Sequence, residues 1–133
     1  MPVGSLNHSY FPHYVANQKS PALGADGILD YCRLHNITIQ AWAPLARGRA
    51  LGGTDDPKAI ELARVVSELA RAKDVPNEAI AIAWLLRHPA GIQPVIGSTE
   101  PARIKACCAA ECVTLSREEW YSLYVAGRGA RLP

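Results

Sequence analysis

The sequence predicts an α/β protein built on a parallel sheet, and three observations carry the prediction. Short apolar or β-branched runs at residues 2–10, 37–44 and 92–96 read as strands. Each is followed by one or two segments whose apolar residues recur at helical spacing. Helix-start signals punctuate the later segments: Asp55-Asp56-Pro57, Pro76-Asn77-Glu78, and Ser116 with Glu119 three residues on. The order is strand, helix, strand, two helices, strand, two helices. Strands alternating with helices imply right-handed crossovers between parallel neighbours.

Residues 2–10 alternate Val3, Ser5, Asn7 and Ser9 on one face with Gly4, Leu6, His8 and Tyr10 on the other, which gives a strand with one small, polar face. Residues 11–25 hold Pro12, Asn17, Ser20, Pro21 and Gly24 without a sustained period and read as a loop longer than usual. Asp26 can cap a helix over residues 27–35, and Asn36 is a plausible left-handed stop. The strand 37–44 ends in Pro44, and residues 45–54 form a glycine-rich, basic loop able to lie over an anion.

Residues 58–73 place Ile60, Leu62, Ala63, Val65, Val66, Leu69 and Ala70 at helical spacing. The next helix, Ala79 through Leu86, is apolar over most of its circumference and should be buried on more than one side. After the third strand, Thr99 and Pro101 read as cap and first turn of a helix carrying Arg103. A last helix begins at Ser116, carries Trp120, Leu123 and Tyr124, and frays over residues 127–133.

The chain has 133 residues, 49% of them hydrophobic and 20% charged, the composition of one globular domain. A formal charge of +2 without a basic block or interleaved aromatics leaves no nucleic-acid footprint. No apolar run approaches the roughly 18 residues of a membrane span, and the first residues lack a secretion pattern, so the expectation is a cytoplasmic protein. Cys108 and Cys112 are spaced for two metal ligands but lack nearby histidines. With Cys32 and Cys107 they read as buried or indifferent thiols in a reducing compartment.

The stretch Ile96-Gly97-Ser98-Thr99 followed by Arg103 is where chemistry concentrates. A helix N-terminus offers unsatisfied N–H groups and the positive end of its dipole. Two hydroxyls and a guanidinium can converge there on a phosphate. Local chemistry equally allows Thr99 as a plain cap and Arg103 as a solvated surface residue.

Three stretches in the same order resemble the C-terminal part of an aldo-keto reductase, a (β/α)8 barrel that uses NADPH to reduce aldehydes and ketones. Leu6-Asn7-His8-Ser9-Tyr10-Phe11-Pro12 is similar to the family's Asn-Gln-x-x-Tyr-x-Pro strand end, with Asn7 in place of the glutamine that holds the nicotinamide amide. Trp42-Ala43-Pro44-Leu45-Ala46-Arg47-Gly48 resembles an aromatic followed by Ser-Pro-Leu and a glycine loop, with Ala43 in place of the serine. The resemblance implies that Trp42 stacks on the nicotinamide. The turn 96–103 resembles the family's site for the adenosine 2′-phosphate, with Ser98 and Arg103 as NADP-selecting contacts. Gly97 stands where many members have lysine, and Ala106-Cys107 where they have a Glu-Asn pair. Residues 79–89 resemble the family's Ala-Leu-Ala-Trp-Leu-Leu helix.

By this resemblance residues 1–133 form one segment, a partial (β/α)8 barrel of about three parallel strands with covering helices, equivalent to strands six to eight and the tail. The family's catalytic tyrosine, lysine, aspartate and histidine belong to the first half of the barrel, and nothing here occupies their positions. Tyr10, Tyr14, His8 and His13 cluster near the first strand, but no lysine tunes them as a substitute acid. The resemblance thus implies an oxidoreductase fragment carrying the NADP(H) half of a site, inactive alone. The alternative is a non-enzymatic dinucleotide-binding or oligomerising module. Three strands alone leave two open edges, so self-association or the missing N-terminal half is the expected partner.

Overall fold

A computed structural model of the chain describes residues 5–6, 28–52 and 55–129; for residues 5, 6, 28, 46, 47 and 49 it describes the backbone alone. The sheet has three short parallel strands in the order β1 (Ser5–Leu6), β2 (Gln40–Trp42), β3 (Gln93–Val95). Ser5 and Leu6 pair with Gln40 and Ala41, while Gln40, Ala41 and Trp42 pair with Gln93, Pro94 and Val95. The rest of the strand expected at residues 2–10, the loop 11–25 and the cap Asp26 lie outside the described residues.

Helix α1 (Ile28–Leu34) closes with Asn36 in the left-handed conformation. The Asn36 N–H donates to the Arg33 carbonyl (3.3 Å) and the Ile37 N–H to the Cys32 carbonyl (2.8 Å). This double closure is the Schellman arrangement. It explains why β2 is shorter than the apolar run 37–44: the Ile37 N–H is spent on the helix, and the ladder starts with the Gln93 N–H donating to Ile39 (2.8 Å). At the other end Ala43 turns the chain at φ +49 and Pro44 supplies no N–H.

Residues 45–54 were expected as a loop, yet residues 46–51 form a 3₁₀ helix (Ala46–Leu51). Tertiary burial holds it: Ala50 is fully buried and Leu45 packs against the core. Helix α2 (Pro57–Lys73) is capped by Asp56, whose carboxylate accepts from the Lys58 N–H (3.1 Å). Its buried residues Leu62, Val66 and Ala70 recur every four positions, as a single core stripe requires. Helix α3 (Asn77–Leu86) buries all seven residues from Ala79 to Leu85, as its apolar circumference predicts.

Helix α4 (Pro101–Cys108), a second 3₁₀ turn (Ala109–Cys112) and helix α5 (Arg117–Arg128) complete the chain order. Cys107 is buried, Cys32 half-buried, and Cys108 and Cys112 are exposed. The capping box is formed: the Glu119 N–H donates to Ser116 Oγ (3.1 Å) and the Ser116 N–H to Glu119 Oε2 (2.7 Å). The helix does not fray at residues 127 and 128, because Ala126 and Gly127 are buried and Gly129 ends it in a left-handed cap; residues 130–133 lie outside the described residues.

Helix α2 packs on α5, on the first 3₁₀ helix and on α3, which itself packs on α4. Two tryptophans join α3 to α5. Their rings stack at 4.8 Å and 7°, and each indole N–H donates to the other residue's carbonyl at 3.0 Å. The helices cover one face of the sheet, where Ala41 is 2% exposed. The opposite face carries Trp42 and Val95, 37% and 42% exposed, beside a Gln40–Gln93 side-chain hydrogen bond of 2.9 Å.

Candidate functional site

Both described strand ends lead into turns on the same edge of the sheet, because parallel strands carry their carboxyl ends together. Open α/β sheets and (β/α)8 barrels place ligands there. After β2 the chain runs through Trp42, Ala43, Pro44 and Leu45 into the 3₁₀ helix; after β3 it runs through Ile96, Gly97 and Ser98 to α4. These two connections enclose a cavity of about 520 Å³. That lies within the roughly 300–1,000 Å³ of ligand pockets.

The cavity gathers most of the residues singled out from sequence: Trp42, Ala43, Pro44, Leu45, Gly48, Ile96, Gly97, Ser98 and Arg103. Leu51 and Gly52 line it too, and the sequence had indicated them only as part of a glycine-rich loop. Arg47 belongs to the 3₁₀ helix by its backbone, but it is not among the described residues lining the cavity. Asn7 lies outside the described residues.

The cap expected at Thr99 is a correction: the N-cap of α4 is Glu100, in extended conformation and without a side-chain cap bond. Thr99 is not among the described residues that line the cavity. Proline disfavours helical geometry in the residue before it, and with Pro101 at the first helical position that residue is Glu100. The hydroxyl that stabilises the turn is Ser98, whose Oγ accepts from the Glu100 N–H at 3.1 Å. With its oxygen engaged in this way, the Ser98 hydroxyl keeps its own hydrogen to donate to a ligand.

The chemistry of the lining is asymmetric. Trp42 supplies a large flat ring at one strand end, and Ser98 with Arg103 supplies a hydroxyl donor and a cation at the other. Among the described lining residues Arg103 alone carries charge. Gly48, Gly52 and Gly97 leave bare backbone: a Cβ built on any of them would meet nothing within 4 Å. Such a lining fits an elongated ligand with a planar ring and an anionic group.

A second opening of about 730 Å³ lies between α2 and α5. It is larger but belongs to the helical layer, away from the strand ends, and its Glu61 and Arg64 already pair with each other at 2.6 Å. Among the described residues no cluster of three His, Cys, Asp or Glu could hold a metal, and no helix is long and apolar enough to cross a membrane.

The aldo/keto reductase family matches residues 7–124. The chain belongs to the aldo/keto reductase family. It is 39% identical over 108 residues to a 6-dehydroglucose reductase of Novosphingobium aromaticivorans, covering 81% of this chain and 35% of that protein. It is 26% identical over 118 residues to the Schizosaccharomyces pombe aldo-keto reductase yakc [NADP(+)], covering 73% of this chain and 34% of that one. A thermostable aldo-keto reductase solved with the inhibitor epalrestat superposes at a TM-score of 0.62 and 25% identity, over 76% of this chain and 34% of that one. The chain therefore spans about a third of the length of the reductases it matches. Its three parallel strands with helices on one face are the architecture of part of such a barrel.

Proposed function

We propose that this aldo/keto reductase segment is the C-terminal part of a barrel, equivalent to strands six to eight, and carries the NADP(H)-binding half of a reductase site. The observation that supports this most is the single cavity joining Trp42 to Ser98 and Arg103 across two strand ends. Its volume, flat aromatic wall and one-sided cation suit a nicotinamide dinucleotide better than a compact metabolite. When bound, the nicotinamide supplies hydride to a carbonyl carbon.

The chain's own residues bind and orient. Trp42 offers its face to the nicotinamide ring, and Asn7 offers its amide. Pro44, Leu45 and Gly48 border the ring and the pyrophosphate, and Arg47 and Thr99 flank the path. Ser98 and Arg103 hold the 2′-phosphate, a guanidinium being suited to bidentate phosphate contact. No residue here matches the family's proton-donating tyrosine or its lysine, aspartate and histidine, so the segment alone binds without turnover. A second reading, a non-enzymatic dinucleotide-binding or oligomerising module, is favoured by the exposed sheet face at Trp42 and Val95. Under either reading the partner is a second copy or the missing half of the barrel.

The experiment is titration of the purified chain with NADPH, following tryptophan emission, with Arg103→Ala beside it. Saturable quenching that Arg103→Ala weakens about tenfold, the loss of one charge-assisted contact, supports the reading. Absence of quenching at millimolar NADPH overturns it. Adding a chain that carries the absent barrel half then separates the two readings: restored carbonyl reduction supports the reductase, and binding without turnover supports the module.

A further inference from the structure

Three described residues other than glycine adopt positive φ: Asn36, Ala43 and Asp74. Asn36 and Asp74 each close a helix, where a left-handed residue is expected and a short polar side chain tolerates it. Ala43 closes no helix. At φ +49 it directly follows β2, lines the cavity and precedes Pro44, whose ring restricts the residue before it. The alanine side chain has no polar group of the kind that makes Asn and Asp tolerant of this region. Backbone strain of this kind persists only where the surroundings over-determine it, and it gathers at functional sites.

The surroundings are visible on both sides. Ala41 is buried under the helices and Pro44 is buried beyond the turn, so the chain is pinned before and after Ala43. Along a strand successive side chains alternate faces, so Trp42 points away from the helical layer that Ala41 enters. The turn at Ala43 ends the strand there, sends Pro44 back into the core and leaves the Trp42 ring at the cavity rim.

We infer that the left-handed turn at Ala43 is a positioning device that fixes the orientation of the Trp42 ring over the cavity. The inference rests on the proposed dinucleotide site for its purpose, but the orientation of the ring can be read without any nucleotide. A residue that holds a ligand-facing ring in place reduces the ordering that binding must accomplish.

The chain contains three tryptophans, so fluorotryptophan labelling gives three fluorine NMR lines, with the Trp42 line assigned by Trp42→Phe. Ala43→Val puts a β-branched side chain where φ is positive, which the left-handed turn resists. It should broaden or move the Trp42 line, leave the Trp84 and Trp120 lines in place, and raise the NADPH dissociation constant by about threefold to tenfold. Ala43→Gly and Ala43→Asn, residues that take the left-handed region readily, should keep the Trp42 line where it is. A Trp42 line unchanged in the valine variant overturns the inference, as does an equal displacement in the glycine and asparagine variants. Displacement of all three lines by Ala43→Val also overturns it, since the turn would then hold the fold rather than the ring. If the wild-type chain binds no NADPH, the site reading fails while the fluorine lines still decide the role of Ala43.

Discussion

The glycines around the cavity differ in what they do. Gly48 and Gly52 take φ of +84 and +93, where any side chain is strained, so glycine there serves the backbone. Gly97 lies outside that region, is exposed, and has open space where a Cβ would project. Neither conformation nor packing requires glycine at position 97, so its bareness matters only to what enters the cavity. Gly97→Ala should change unfolding free energy by less than about 0.5 kcal/mol in urea, as an unstrained surface substitution does. The same change should weaken NADPH binding by about 1 kcal/mol, roughly fivefold, if the nucleotide passes over that backbone. Gly48→Ala should instead lower stability by about 1 kcal/mol, measured the same way. In sequence these glycines look alike. Only the backbone angles and the space around them separate the two classes.

Helix ends offer two sharper tests. Asp74 sits left-handed at the C-terminus of α2, and its carboxylate meets the negative end of the helix dipole. Asp74→Gly removes both penalties and should raise stability by about 1 kcal/mol, seen as a higher urea midpoint at unchanged slope. At the start of α5, Glu119 also pairs with Lys73 of α2 at 3.0 Å, which ties the two most closely packed helices together. Burial pushes the Glu119 carboxyl up, but the Ser116 backbone N–H and the Lys73 ammonium outweigh it, so its pKa lies below the usual value. A carboxylate depressed in the folded state adds stability above its unfolded pKa and loses it as pH falls through the folded one. Glu119→Gln keeps the capping geometry and removes the charge. It should cost about 0.5–1 kcal/mol near neutral pH, and the difference from wild type should close in acid. The box at Ser116 and Glu119 was legible because its signal lies within four residues. The cap of α4 was misplaced because Ser98, Thr99 and Glu100 compete in sequence, and the constraint from Pro101 decides between them. The 3₁₀ helix at 46–51 was not legible at all, since burial of Ala50 by distant helices holds it.

At the scale of the whole molecule, the described helices cover the sheet on one side only. Ala41 faces the helices, whereas Trp42 and Val95 look outward from the other face. On β3 the Gln93 N–H bonds back toward β2, so the next residue, Pro94, is the one that would offer an N–H outward, and it has none. That edge is therefore blunted at one position, while the face beside it carries Trp42 and Val95 next to the Gln40–Gln93 pair. In a closed barrel this face lines the interior. Among the described residues it leaves two large apolar side chains exposed on one sheet face. The chain should accordingly self-associate, its weight-average mass in sedimentation or light scattering rising with concentration. Val95→Lys places a charge on the open face at a half-exposed position. It should shift the distribution toward monomer, weakening association about tenfold or more through loss of a buried valine from each copy. The urea midpoint, extrapolated to low concentration, should stay unchanged, because Val95 contributes little to the helical core. A mass independent of concentration in the wild-type chain would remove self-association, and the missing barrel half would then be the partner that remains for this face.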